Sequence, residues 1–276
     1  MQASRQNKQT GLNRVITLAC LSLTIMAWVL FPMPIPASRA MADKPLPFAP
    51  GEKLTFALRW SVIPAGEAVM EVMPMKMMNG MPAYHFRLTA ESNSFVDVFY
   101  KVRDRIDAYA AADMSHAVHY RKKQREGEHR KNVKVEFDWQ NGTAQYSDGD
   151  KTKKPIKVSP GTFDPLSVFY FTRTLDFKEK AVLTGSVTDG SKCVEGVARI
   201  VKRETITVPS GTYDTYLIEP DLKHVGGVFE KSKDAKIRLW VTADQRRIPV
   251  KIASKVVVGS FVGELVSIKT PKKENS

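Results

Sequence analysis

Cysteine is almost missing from this chain: Cys20 lies in an N-terminal apolar stretch, and Cys193 stands alone in everything that follows. Trimmed of that stretch, the chain cannot close an internal disulfide, so its stability must come from a packed core. Catalytic signatures are missing too. There is no Gly-x-Ser-x-Gly elbow, no phosphate-binding loop, no Gly-x-Gly-x-x-Gly and no His-Glu-x-x-His, so the chemistries those patterns support have no foothold. Cys193 has no base near it in sequence and reads as a small apolar core residue. His116 and His119 are three apart, which on a strand places them on opposite faces and prevents shared chelation. No catalytic residue, metal ligand or cofactor is assigned, and the chain reads as a non-enzyme. Internal repeats and low-complexity segments are also lacking.

What is present begins with a leader. Arg5, Lys8 and Arg14 precede an apolar run over 15–31, and Ala40-Met41-Ala42 offers a small-x-small cleavage site before Asp43. This order reads as a signal peptide over 1–42 that exports the protein to a bacterial periplasm, leaving a single mainly-β domain over 43–276. The alternative is an uncleaved leader anchored in the inner membrane, since about 18 to 20 apolar residues span a bilayer. Cys20 sits too early in the run for a lipoprotein site. Losing the leader removes four of the 42 Lys and Arg and none of the 29 Asp and Glu, leaving a net charge of +9. For an exported protein this argues against nucleic acid, and toward a solvated surface or contact with anionic membrane lipid, lipopolysaccharide or a polyanionic wall polymer.

The dominant signal is alternation. Leu54, Phe56, Leu58 and Trp60 share one face while Lys53, Thr55, Ala57 and Arg59 take the other. The same period of two returns at Tyr84, Phe86, Leu88 and Ala90, at Val133, Val135, Phe137 and Trp139, and at Ile237, Leu239 and Val241. Successive side chains of a strand point to opposite faces, so the expected fold class is all-β: a single large curved antiparallel sheet or partly closed barrel. Strands are expected over 52–60, 67–73, 84–91, 101–109, 181–187, 194–208, 213–220, 236–242, 249–258 and 261–268, with a hairpin over 118–139. Ile63-Pro64-Ala65-Gly66 should turn the chain between the first two. One short helix breaks the pattern. Asp164 suits an N-cap, Pro165 suits the first helical position, and Leu166, Phe169, Tyr170 and Arg173 fall on one face. Plugging an open end or lying over a concave face, it would give a one-sided sheet its second layer.

Two sets of residues are candidates for function. Trp60, Phe86, Phe137, Trp139 and Phe169 lie on inward faces, where they either line a cavity for an apolar ligand or fill an ordinary core. Arg173 is the cation placed for an anionic head group, or equally one that complements the helix dipole. Methionines 70, 73, 75, 77, 78 and 81 crowd the second strand and its turn, adaptable partners for apolar surfaces. The hairpin turns at Glu126-Gly127-Glu128 and carries the basic patch Arg121, Lys122, Lys123, Arg125, Arg130 and Lys131. It is expected to project beyond the sheet. Asp104, between Arg103 and Arg105, should pair with its neighbours.

Gly51-Glu52-Lys53-Leu54-Thr55-Phe56, Trp60 and Ile63-Pro64-Ala65-Gly66-Glu67-Ala68 form one group of motifs. With them go Tyr100-Lys101-Val102-Arg103-Asp104, Phe137-Asp138, Asp164-Pro165-Leu166-Ser167 with Arg173, Val208-Pro209-Ser210-Gly211-Thr212-Tyr213, Leu239-Trp240-Val241-Thr242 and Arg247-Ile248-Pro249-Val250. In this order they resemble the bacterial exported family known as domain of unknown function 3108. The resemblance implies an exported, mostly β protein of Gram-negative type, and implies no activity and no site residues. Export signal, one-sided strands and basic hairpin together lead to the expectation of a protein that binds or carries a lipid or other amphiphile of the envelope. The alternative is an envelope scaffold or assembly factor that binds another protein through a sheet edge or the hairpin.

Overall fold

A computed structural model describes residues 45–221, 236–256 and 259–271; the expected leader and the end of the expected strand 249–258 lie outside the described residues. The chain forms β1 (Lys53–Trp60), β2 (Ile63–Met78), β3 (Met81–Ser92), the single-turn helix α1 (Ser94–Asp97) and β4 (Arg103–Ala111). There follow β5 (Ala117–Glu126), β6 (His129–Asp138), β7 (Thr143–Asp148), β8 (Lys151–Thr152), β9 (Ile156–Lys157) and helix α2 (Pro165–Thr172). The remainder is β10 (Val182–Thr188), β11 (Cys193–Val208), β12 (Gly211–Pro220), β13 (Lys236–Thr242), β14 (Pro249–Val256) and β15 (Gly259–Lys269).

All fifteen strands join one antiparallel sheet in the order β10 to β15, then β1 to β8, with β9 beside β7. From β1 to β8 and from β10 to β15 each strand pairs with the next, most of them through short hairpin connections. The exception is β15 beside β1, which brings the two ends of the sequence together in mid-sheet. The ladder does not close. Instead the segment between β9 and α2 spans part of the gap: Phe163 N–H donates to Ser186 O (3.0 Å), Thr188 N–H to Phe163 O (2.9 Å) and Ala117 N–H to Thr162 O (3.1 Å).

Helix α2 starts as its sequence dictates. Asp164 accepts hydrogen bonds from the N–H groups of Leu166 and Ser167, both at 2.9 Å, and Pro165 opens the first turn. The expected single apolar face is corrected: all eight residues are buried. The curved sheet wraps the helix, and a helix enclosed on every side is apolar on every side. Tyr170 stacks on Phe86 of β3 at 3.9 Å between ring centroids, and the Phe48 ring of the lead-in meets both edge-on.

Three further expectations are corrected. The first turn falls at Ser61-Val62, with Ser61 at φ +53°, and residues 63–66 already belong to β2. Gly66 serves a close approach instead: a Cβ there would lie 2.0 Å from Glu91 O on β3. Of the methionines of β2 and its turn only Met70 is buried; Met75, Met77 and Met81 are exposed where β2 and β3 run past the body of the sheet, beyond a register shift between Met73 and Lys76 that contains Pro74. A proline cannot donate to a ladder, which accounts for the break. The basic hairpin does not project. Its tip is tied down by Gly127 N–H donating to Lys101 O (2.9 Å), by a bridge between Val102 and Glu126, and by the Tyr100 ring packed against Gly127.

Candidate functional site

Cross-strand partners share a face, so the register divides the side chains of the sheet into inner and outer sets. One inner row runs through Val72, Phe86, Ala108 and Tyr120 beneath α2, and its members are sealed from solvent. Rows nearer the other end run through Met70, Leu88, Ile106 and Lys122, then through Phe56, Ala68, Ala90 and Asp104, with Leu58, Gly263 and Ile252 beside them. The apolar side chains of these rows are all buried, from 0% exposed at Leu54 and Phe86 to 8% at Ile252. Two small residues, Ala68 and Ala90, face each other there. Helix α2 packs on β3, β4 and β10 near the first of these rows, and the later rows lead toward the β1–β2 turn and α1.

One wall of this part of the interior is polar. Asp104, Gln124 and Glu126 are buried on the inner side of β4 and β5. Gln124 Nε2 donates to Glu126 Oε1 (3.0 Å), the Arg125 N–H donates to Asp104 Oδ1 (2.8 Å), and Glu126 Oε2 is buried without a partner. Burial, and then the neighbouring Asp104, push the Glu126 carboxyl up to about 8, and burial raises Asp104 as well. Two carboxyls this close in a dry site cannot both ionise. Lys122 faces the same space, and burial lowers its pKa. The local pairing expected for Asp104 is thus corrected. Strand alternation turns it inward, while Arg105 on the outer face donates to Asp107 (2.6 Å) and Arg103 to Asp97 (2.6 Å).

The residues singled out from sequence do not gather around one space. Phe86 and Phe169 pack on Tyr170 of α2. Phe137 and Trp139 stack on each other at 5.6 Å on β6, and Trp139 Nε1 donates to Ala117 O (2.8 Å). Trp60 lies at the β1–β2 turn, half-buried and stacked on Phe261 of β15. Arg173 is a correction: it is buried and engaged with the protein itself. Nη1 and Nη2 donate to Glu52 Oε1 (2.6 Å) and Oε2 (2.9 Å), Nη2 also to Pro47 O (3.2 Å), and Nε and Nη2 to Arg246 O (both 3.1 Å). A guanidinium with its donors so occupied has none to spare for a head group. The basic patch splits by parity: Arg121, Lys123, Arg125 and Arg130 stand on the outer face, and Lys122 and Lys131 on the inner.

Sequence reasoning passed over two arrangements. One is the inner polar wall, whose only signal was the alternation of Asp104 with Ile106 and Ala108. The other lies on the outer face, where Asp107 accepts from His85 Nε2 (2.7 Å) and Arg87 Nε (2.9 Å) in addition to Arg105. Burial alone would raise Asp107, but these three donors hold it well below the usual carboxylate range. Among the described residues no three His, Cys, Asp or Glu side chains stand together as a metal site.

The structure resembles a β-barrel-like protein of domain of unknown function 1849 from Brucella abortus. That match has a TM-score of 0.54 at 10% identity and covers 82% of this chain and 100% of the other. Weaker likenesses are a candidate lipoprotein from Parabacteroides distasonis (TM-score 0.37, 11% identity, 82% and 100% covered) and a candidate exported protein from Bacteroides fragilis (0.33, 9%, 82% and 98%). At these identities the first match speaks for the fold alone. No curated protein matches the sequence. A family model matches residues 55–266, so the chain belongs to the DUF3108 family of proteins of unknown function.

Proposed function

We propose that this is a non-enzymatic, exported protein of the periplasm that binds or carries an amphiphilic envelope molecule, with the apolar part of that molecule on the inner side of the sheet. One observation carries the reading: the small apolar side chains Ala68 and Ala90 share the inner side of the sheet with the buried polar wall of Asp104, Gln124 and Glu126. Small apolar side chains beside a few convergent polar groups are what a pocket for an amphiphile needs. Asp104, Gln124, Glu126 and Lys122 supply the polar side, in the role first expected of Arg173. An envelope scaffold would not need such an interior.

The test is extraction of whatever co-purifies with the protein from periplasm, read by native mass spectrometry, for the natural sequence and for Ala90→Phe. The natural chain should carry a lipid or similar amphiphile in stoichiometric amount. Ala90→Phe should fold and arrive empty. An empty natural chain would overturn the reading and favour the scaffold. So would an Ala90→Phe chain that fails to fold, because the space would then be packed core.

A further inference from the structure

The end of the sheet at the β1–β2 turn and α1 carries apolar side chains held in water. Val62 is 87% exposed, Val98 76%, Phe95 60% and Phe99 59%. They come from two loops, the β1–β2 turn and the segment around α1, which are fastened together. Asn93 Nδ2 donates to Pro64 O (2.7 Å), its N–H donates to Ala65 O (2.9 Å), and its side chain caps α1 by accepting from Val96 N–H (2.9 Å). Phe95 and Phe99 meet edge to face at 5.8 Å. Scattered exposed hydrophobes are ordinary, but several large ones on a single fixed rim mark a contact surface.

What surrounds them indicates the partner. The tip of the β5–β6 hairpin lies against Tyr100 and Lys101, one residue on from Phe99, and brings exposed Arg130 to the same rim as exposed Lys101. The charge of Asp97 is taken up by Arg103, through Nη2 to Oδ2 at 2.6 Å and Nη1 to Oδ1 at 3.0 Å. Exposed Glu67, Glu91 and Glu128 are the acids nearby, and Arg103 reaches Glu91 at 3.6 Å. Farther out on β5, Lys123 and Arg125 continue the basic outer face. A rim that projects aromatic and aliphatic side chains from loops, with cations set behind them, matches the depth profile of a bilayer surface, where apolar groups sit about 5–10 Å in and cations meet anionic head groups. The geometry points to this rim as a docking surface for an anionic lipid bilayer. Docked this way, the interior beside Ala68 and Ala90 lies toward the membrane, a consequence that rests on the binding function proposed above; the docking itself does not.

The test is flotation of the full chain, recovered from periplasm, with vesicles of phosphatidylethanolamine and phosphatidylglycerol. Phe95→Ser/Phe99→Ser should lower partitioning about tenfold or more, with Val98→Asp as a second variant at a site too exposed to affect folding. Lys101→Glu/Arg130→Glu should lose binding to these vesicles while keeping whatever binding phosphatidylcholine vesicles support. Met77→Ser, at the other end of β2, should bind as the natural chain does. Any leader still attached contributes equally to every variant, so the differences report the rim. Equal partitioning of the natural chain and Phe95→Ser/Phe99→Ser overturns the proposal. So does a natural chain that does not float, or one that dimerises through this rim without lipid, which would assign the patch to a second copy. Ala90→Phe should float normally, so loss of the ligand and loss of docking are separable.

Discussion

Replacing Arg173 by Met would leave a buried carboxylate without its partner. The Arg173 side chain is 1% exposed and that of Glu52 5%. Met fills much of the volume of the aliphatic stem, but Glu52 loses two charge-assisted hydrogen bonds, and the carbonyls of Pro47 and Arg246 lose their donors. Breaking a buried pair from one side costs about 3–5 kcal/mol, a large share of the roughly 5–15 kcal/mol by which native proteins are stable. The pair also joins four separate parts of the chain: the lead-in at Pro47, the start of β1, the end of α2 and the β13–β14 turn at Arg246. Removing both charges, with Glu52→Leu added, should restore most of the loss, leaving about 1–3 kcal/mol for the unpaired carbonyls. The assay is urea denaturation at pH 7 of the two single variants and the double, with the slope checked for constancy. A loss below about 1 kcal/mol in Arg173→Met, or a double variant no better than the worse single, would refute the structural role and return Arg173 to the list of ligand-binding residues.

Two further outcomes follow from the inner wall and the sheet register. Glu126 is raised in the folded protein from an ordinary 4.5 to about 8, so the folded state holds a proton that the unfolded state releases between these values. Stability should therefore fall as pH rises from about 4.5 to 8, by about 3–5 kcal/mol shared with Asp104. Glu126→Gln should flatten that slope and exceed the natural chain in thermal stability at pH 8, and an unchanged slope would show that the carboxyl is not held protonated. Gly66→Ala sets a methyl group against the backbone at Glu91 O and should cost about 2–3 kcal/mol or more; a variant of natural denaturation midpoint would show that β2 and β3 can separate freely at that point.

Much of the fold was legible locally. The period-two runs located the strands, because burying one face of a sheet imposes alternation residue by residue. Asp164-Pro165 announced α2, because an N-cap is satisfied within one turn of its own backbone. Where local sequence was ambiguous, the tertiary structure chose. It placed the first turn at Ser61-Val62 and gave Gly66 to a neighbouring strand, since close approach depends on a partner 25 residues away. It drew the basic hairpin down onto Tyr100 instead of letting it project.

The candidate site was less legible, because its members meet only through strand pairing and loop contacts. Nothing along the sequence brings Asn93 to Pro64, Glu126 to Asp104, or Arg173 to Glu52, which are separated by 29, 22 and 121 positions. By itself the sequence determined the all-β class, the inward and outward faces and the capped helix, all set by interactions within a few residues. Only the tertiary structure decided which inward residues are sealed beneath α2, which polar groups face the interior, and which hydrophobes are left in water at the rim, because burial is a property of what the rest of the chain covers.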